Sequence, residues 1–365
     1  MIKQIKGKEY VKTYITERFD AIDEGNNYFS TMDKVFTFII EQKIKVLYTI
    51  IYLDQRGFEK LSSNAHTRLS LELLQPVMYL CGKSCKGSQF TGIKVVGISQ
   101  IRGQENFSFK KVIFDKKVIG TYFEAGADKE IYLCGLCGCG ESFEEQISGL
   151  YENMERIVSE YGFRSTDIYR TYFYLRNLLN DYEQFNINRD KFFKKIYFGK
   201  VDYPASTCIQ GHSFYNDDVT AIIMASSTNY TRICTEKQCE AKEYSKSFSR
   251  GVSIENGDIK REYISGTASI DEVGNTVYKN DIEAQLRQTM ECIKELLDNR
   301  KLGICDIVSA NIYLKEPKYL DEFQKICCEY GMDKVPFIVM IADVCRDDLL
   351  CEIDAIVEKQ NVNVL

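Results

Sequence analysis

The chain has 365 residues, 44% hydrophobic and 27% charged, with a formal net charge of −6. That balance is globular, and the length is enough for two or three ordinary domains. Charges of both signs are interspersed without a dense basic patch, which argues against nucleic acid as a partner. No apolar run reaches membrane-spanning length; the longest, such as Ala221 to Ala225, are strand-sized.

The lysine-rich start, Met1 to Tyr10, lacks the apolar centre of a secretory signal. A cytoplasmic protein is therefore expected, and its 14 cysteines read as reduced thiols. Only Cys134-Gly-Leu-Cys137-Gly-Cys139 has metal-like spacing. A fourth ligand would be needed, and Cys81 with Cys85 or Cys234 with Cys239 are imperfect partners. No metal and no cofactor are expected. His66 and His212 lie far apart in sequence, and nothing marks either as half of a Cys/His nucleophile pair.

Taken in order, the chain repeats one unit. In the first portion a strand falls near Glu9 to Glu17 and a helix at Met32 to Gln42, with Val35, Phe36 and Ile39 on one face. A strand at Val46 to Leu53 follows, then Pro76 and a strand near Ile93 to Ile98. In the middle portion Ile131 to Gly135 is a strand. Glu144 to Tyr161 carries Ile147, Leu150, Met154, Ile157 and Val158 at helical period and stops at Gly162. Ile168 to Leu175 is a strand, and a helix runs from about Tyr182 to Phe193. Tyr203-Pro204 and a hairpin ending at Val219 to Ala225 close the unit.

The last portion repeats this order. Arg261 to Gly266 is a strand, and Asn280 to Asp298 a helix with Ile282, Leu286, Met290, Ile293, Leu296 and Leu297 inward. Ile307 to Leu314 is a strand, Leu320 to Tyr330 a short helix, and Val335-Pro336 precedes a final hairpin. The Tyr-Leu strand ends at Leu53, Leu175 and Leu314 stand 122 and 139 residues apart.

Such a unit cannot bury its sheet face alone, so three copies predict a ring of three sheets with helices outside and ligand clefts between copies. The expected fold class is α+β: three α/β repeats fused as an intramolecular pseudo-trimer. The expected units are 1–105, degenerate; 106–230, central; and 240–365, C-terminal. In this alignment Cys134 and Gly135 take the place of Ser265 and Gly266, which makes the cysteine cluster strand-end and loop filling.

The last strand comes after a turn at Asp347 and Asp348. Its alternation puts Glu352 and Asp354 on one face and Cys351, Ile353 and Ala355 on the other. Two carboxylates on one face fit a solvated sheet surface. They also fit a cavity wall, where desolvation would keep a proton on Glu352 for general acid work. The aligned positions in the other copies are about Lys94 and Ile222. Neither is an acid, so one cleft in three is expected to be competent, and Asp354 becomes a supporting hydrogen-bond acceptor.

The last copy resembles the reactive-intermediate deaminase (YjgF) family. The residues that carry this are Tyr263-Ile-Ser-Gly266, Gln285-x-x-x-Thr289-x-x-x-Ile293, Ile312-Tyr-Leu314, Pro336 and Cys351-Glu-Ile-Asp-Ala-Ile356. The resemblance implies homotrimers with sites between subunits. It also implies imine hydration by an arginine two residues after the proline that matches Pro336. Here that position is Ile338, and after Pro204 it is Ser206, so an imine or enamine deaminase is the alternative rather than the first reading.

The chain is more closely similar to the chorismatases, over most of its length. The matching stretches are Tyr182-Glu-Gln-Phe-Asn-Ile-Asn-Arg189, Tyr203-Pro-Ala-Ser-Thr-Cys-Ile-Gln-Gly211, Ser247-Phe-Ser-Arg250, Ile264-Ser-Gly-Thr-Ala-Ser269 and Cys345-Arg-x-x-Leu-Leu-Cys-Glu352. The resemblance implies an enzyme that cleaves the enolpyruvyl ether of chorismate and releases pyruvate, with Glu352 as the acid. It places substrate at Tyr182 and Arg189, and arginine suits the two carboxylates. Ser206, Thr207, Gly211, Gly266 and Thr267 are expected to supply neutral contacts, with Arg250 and Arg346 as further arginines.

Ala268 and Cys345 would shape the ring pocket. Ala268 resembles the branch that hydrolyses chorismate to a dihydroxycyclohexadiene carboxylate; Cys345 resembles the 3-hydroxybenzoate branch, which is favoured. Cys345 is expected as a polarisable wall rather than a nucleophile. The expected partner is the small-molecule substrate alone, with no nucleic acid and no membrane, and the chain is expected to be a monomer. A non-catalytic protein that binds an aromatic acid is the remaining alternative.

Overall fold

The computed structural model describes residues 1–19, 27–64, 71–101, 107–197, 203–215, 217–240, 246–256 and 259–360. His66 lies outside them. No helix among them is long and apolar enough to cross a membrane.

Three sheets are built from one plan. The first holds β1 (Ile2–Lys6), β2 (Tyr10–Arg18), β3 (Lys45–Leu53), β4 (Val77–Cys81) and β5 (Phe90–Gln100), in the order β1-β2-β5-β3-β4. The second holds β6 (Phe107–Phe114), β7 (Lys117–Ala125), β8 (Asp128–Leu136), β9 (Ile168–Leu175), β10 (Ala205–Gln210) and β11 (Val219–Ser226), in the order β10-β9-β11-β8-β7-β6. The third holds β12 (Tyr230–Ile233), β13 (Gly251–Glu255), β14 (Ile259–Thr267), β15 (Ile307–Leu314), β16 (Phe337–Ile341) and β17 (Cys351–Gln360), in the order β12-β13-β14-β17-β15-β16.

Helices α1 (Asn27–Glu41) and α2 (Gln55–Ser63) belong to the first unit. Helices α3 (Phe143–Glu160) and α4 (Leu178–Tyr197) belong to the second, and α5 (Ile282–Asp298) and α6 (Leu320–Tyr330) to the third. Local chemistry sets their ends. Ser142 and Glu145 form a reciprocal capping box at the start of α3, and Asp281 caps α5. Gly331, at φ +73°, ends α6 in the left-handed conformation that favours glycine.

Every apolar residue predicted to face inward on α3 and α5 packs between its helix and its own sheet. The opposite sheet faces meet one another. Tyr52, Tyr174 and Tyr313 from the three sheets share one central cluster with Tyr132, Tyr263 and Ile338. The fold is thus α+β, three related units closed as a pseudo-trimer with sheets inside and helices outside.

Two local expectations are corrected. The expected hairpins before β11 and β17 do not form. β10 and β16 instead pair in parallel with β9 and β15, because the intervening helix returns the chain in the same direction. Helix α4 begins at Leu178, four residues ahead of the predicted start. The pair β6–β7 escaped detection because Lys110, Lys111, Lys116 and Lys117 dilute its alternation.

Buried ion pairs join the units. Arg261 on β14 donates to Glu130 on β8, and both are almost wholly buried. Lys12 on β2 meets Glu358 on β17 at 3.2 Å. Arg261→Met would strand the Glu130 carboxylate in the interior. It is expected to cost about 3–5 kcal/mol of unfolding free energy, read as a lowered midpoint in urea.

Candidate active site

A cavity opens between the second and third units. Its lining comes from α4 (Tyr182, Arg189), β10 (Ser206, Cys208), the segment ahead of β13 (Lys246, Phe248, Arg250), the end of β14 and the segment beyond it (Gly266, Ala268, Ile270), the turn before β17 (Cys345, Arg346) and β17 itself (Glu352). It holds about 600 Å³ of empty space, its open mouth included.

Alternation along β17 positions the acid. Cys351, Ile353 and Ala355 pack toward the third unit's helices, which turns Glu352 and Asp354 toward the centre of the ring. Glu352 is 4% exposed. Burial, and then the nearby Asp354 carboxylate, push its pKa up to about 8, while Arg250 and Arg170 pull the other way. Burial and Asp354 both favour the protonated carboxyl at neutral pH. Its carboxyl lies against Gly266. A Cβ built there would stand 1.8 Å from Glu352 Oε1, so only glycine leaves room for the acid.

Cations dominate the walls. Arg189, Lys246, Arg250 and Arg346 line the cavity around the single acid Glu352. Arg189 is buried on α4, where Asn186 Oδ1 accepts from its Nη2 at 2.5 Å and Nε meets no hydrogen-bond partner among the described residues. The Phe248 ring lies between two guanidiniums, with its centroid 5.0 Å from Arg189 Cζ and 5.5 Å from Arg250 Cζ. Arg250 is held by the Cys239 carbonyl, at 2.8 and 2.6 Å, and Arg346 by the Gly274 carbonyl, at 2.8 Å. Burial and neighbouring Arg189 depress the Lys246 ammonium.

Cys345 faces the acid. Burial and the Glu352 carboxyl push its thiol up to about 11, so it stands as a neutral, polarisable wall. None of the 14 cysteines, all among the described residues, forms a disulfide. In the cysteine-rich stretch Cys134 is buried against the Thr49 carbonyl while Cys139 is exposed. Among the described residues no three His, Cys, Asp or Glu side chains gather closely enough to hold a metal.

Of the residues singled out from sequence, Tyr182, Arg189, Ser206, Arg250, Gly266, Ala268, Cys345, Arg346 and Glu352 converge on the cavity. Thr207 lies behind the wall. Its Oγ1 accepts from Arg170 Nη2 at 2.6 Å and from the Gly266 N–H at 3.0 Å, so Gly266 donates into the protein, not into the cavity. Thr267 donates to the Ser265 carbonyl, and the Gly211 N–H to the Leu175 carbonyl, with Gly211 packed near Leu80 and Tyr174. Cys208, Lys246, Phe248 and Ile270 are wall residues that sequence reasoning missed. Phe248 was legible only as part of Ser247-Phe-Ser-Arg250.

Strand register also revises the equivalences between units. Glu352 pairs with Tyr313, and the matching partners of Tyr174 and Tyr52 are Thr220 and Gly92. Lys94 and Ile222 instead match Asp354, two residues along. Neither Gly92 nor Thr220 is an acid, and Ile338 Cδ1 fills the space beside Gly92, 2.4 Å from where a Cβ would stand. The counterpart of Ile338 on β10 is Thr207, opposite Tyr172, rather than Ser206, because Pro204 stands one place earlier than Pro336 in the register. An arginine is missing from that position in both units.

Comparison with known proteins fits this architecture. A family model described as Endoribonuclease L-PSP matches residues 241–359. A RutC family protein of Sulfurisphaera tokodaii is 34% identical over 99 residues, covering 27% of this chain and 78% of the relative. The chain belongs to the RutC family. Its C-terminal unit carries that RutC match, and a longer similarity spans more than one unit. A 3-hydroxybenzoate synthase of Streptomyces hygroscopicus is 23% identical over 266 residues, covering 63% of this chain and 74% of the relative. A solved chorismatase structure superposes with a TM-score of 0.65 at 15% identity, covering 96% of this chain and all of that one. Three fused RutC-like units are therefore its fold.

Proposed function

We propose that this chain cleaves the enolpyruvyl ether of chorismate and releases pyruvate. The observation that carries the reading is one buried carboxyl, Glu352, whose burial favours its protonated form, facing a cavity walled by four cations. Chorismate carries two carboxylates, a ring hydroxyl and an enol ether. Arg189 takes one carboxylate through its unpaired Nε, and Arg250, Arg346 and Lys246 surround the other. Glu352 delivers its proton to the enolpyruvyl methylene carbon. In hydrolysis water adds to the oxocarbenium carbon, and the adduct collapses to pyruvate and a ring hydroxyl. In the rearrangement the neighbouring ring hydroxyl displaces pyruvate from the ring carbon, and the ring then aromatises. Either way the proton released returns to Glu352.

Hydrolysis consumes one water and leaves a dihydroxycyclohexadiene carboxylate. The internal rearrangement consumes none and leaves 3-hydroxybenzoate. We favour 3-hydroxybenzoate, on Cys345 in the ring pocket and on the similarity to the 3-hydroxybenzoate synthase. The steps are proton transfers and C–O cleavage, and they call for no cofactor. The units 106–230 and 240–365 supply in one chain the cleft that separate subunits would otherwise form, with 1–105 as the third member of the ring, which favours a monomer, and free thiols favour the cytoplasm.

Incubation with chorismate and a pyruvate assay test the reading; a folded protein that releases no pyruvate overturns it. The acid must enter protonated, so kcat/KM is expected to be level below pH about 8 and to fall about tenfold for each further unit above it. An alkaline limb that rises instead would exclude Glu352 as the acid.

A further inference from the structure

Among the described residues the first unit supplies none of the cavity wall; the lining begins at Tyr182. It nevertheless sends a charged side chain to the centre of the ring. Lys94 on β5 is 5% exposed, and its Nζ donates to the Ala310 carbonyl and to Asn311 Oδ1, both at 2.6 Å. The Asn311 amide turns its other end to Asp354, at 3.0 and 3.3 Å. Tyr313 donates to Asp354 at 3.1 Å and Tyr172 at 3.5 Å, so both carboxyl oxygens accept; burial raises this carboxyl, while Arg170, Lys94, Tyr313 and Asn311 favour its ionised form. Arg170 Nη2 stands 3.8 Å from Asp354 and donates to Thr207, which holds the Gly266 N–H beneath Glu352. One polar chain thus runs from the first unit through the third and second to the acid.

We propose that Lys94 is a positioning residue for Glu352: through Asn311 it holds Asp354 as a carboxylate two residues along β17, and that carboxylate keeps the proton on Glu352. This rests on the function proposed above. The groups that face Glu352 are Asp354 on its own strand, Arg170 on β9, Arg250 ahead of β13, Cys208 on β10 and Cys345 in the turn. Those that face Asp354 are Lys94, Arg170 and the hydroxyls of Tyr172, Tyr174, Tyr313 and Tyr52. Burial draws the Lys94 ammonium down and raises the Asp354 carboxyl, and each opposes the shift of the other, so lysine and carboxylate favour each other's charged form.

Without Lys94, Asp354 keeps Arg170 but loses its second cation, takes up a proton more readily and repels charge on Glu352 less. Lys94→Met should therefore move the alkaline limb of kcat/KM to lower pH by about one unit. The same shift should appear without turnover, in the infrared carboxylic C=O band that Glu352→Gln removes. Failure of pyruvate release in the parent protein would sink the function while leaving the infrared midpoint to judge Lys94. Lower kcat at an unmoved midpoint, or a midpoint moved upward, overturns the proposal. If Lys94→Met does not fold, Tyr313→Phe removes a donor to Asp354 at nearly constant volume and should shift the midpoint the same way; no shift there overturns it equally.

Discussion

Glu352→Gln is expected to lower pyruvate release by about 10²–10⁴-fold, the usual worth of a positioned general acid, while chorismate still binds. The amide fills the same space against Gly266 and leaves the four cations in place. Calorimetry should therefore find chorismate affinity within a few-fold of the parent, with the loss confined to kcat. Full turnover in Glu352→Gln would mean that another group protonates the methylene carbon. Asp354 is the nearest other carboxyl, but Asn311, Tyr313 and Tyr172 occupy it, and it does not line the cavity.

Gly266→Ala is expected to be nearly as damaging without touching any reacting group. The new methyl would stand 1.8 Å from Glu352 Oε1 and 3.3 Å from Thr207 Cγ2. Thr207 is fixed by Arg170 and by the Gly266 N–H, so the Glu352 carboxyl must give way. A displacement of about 1 Å in a catalytic group costs on the order of 100-fold in rate, and overpacking costs about 1–3 kcal/mol in stability. A folded Gly266→Ala protein, moderately lower in Tm, should thus lose most of its kcat. Unchanged turnover would show that the acid tolerates another position.

Much of this molecule is legible in one dimension, because its repeat is written in local patterns. The period of Ile147, Leu150, Met154, Ile157 and Val158 on α3 needs only a helix and a covered face. The limits of β9 and β15 follow from strand-sized runs, apolar but for Arg170, Thr171, Ser309 and Asn311, that end in Tyr-Leu. The shared face of Glu352 and Asp354 follows from the twofold pleat alone. The charged edges of β6 and β7 were opaque, since lysines there interrupt the alternation that marks a strand.

The three units, the α+β class and the position of the acid on its strand are all written in the residue order, since each depends on residues near one another in the chain. Which walls meet that acid is a matter of ring closure. Arg189 and Phe248 come from separate elements, and only the closed ring places both beside Glu352. Strand pairing within each sheet sets the register, since alternation fixes which face a residue takes but not which residue it opposes. A shift of two leaves the pattern intact, so Gly92 and Thr220, rather than Lys94 and Ile222, proved to be the counterparts of Glu352. The protonation of Glu352 was likewise beyond the sequence, because burial and the nearby charges of Asp354, Arg170 and Arg250 exist only once the units have closed on one another.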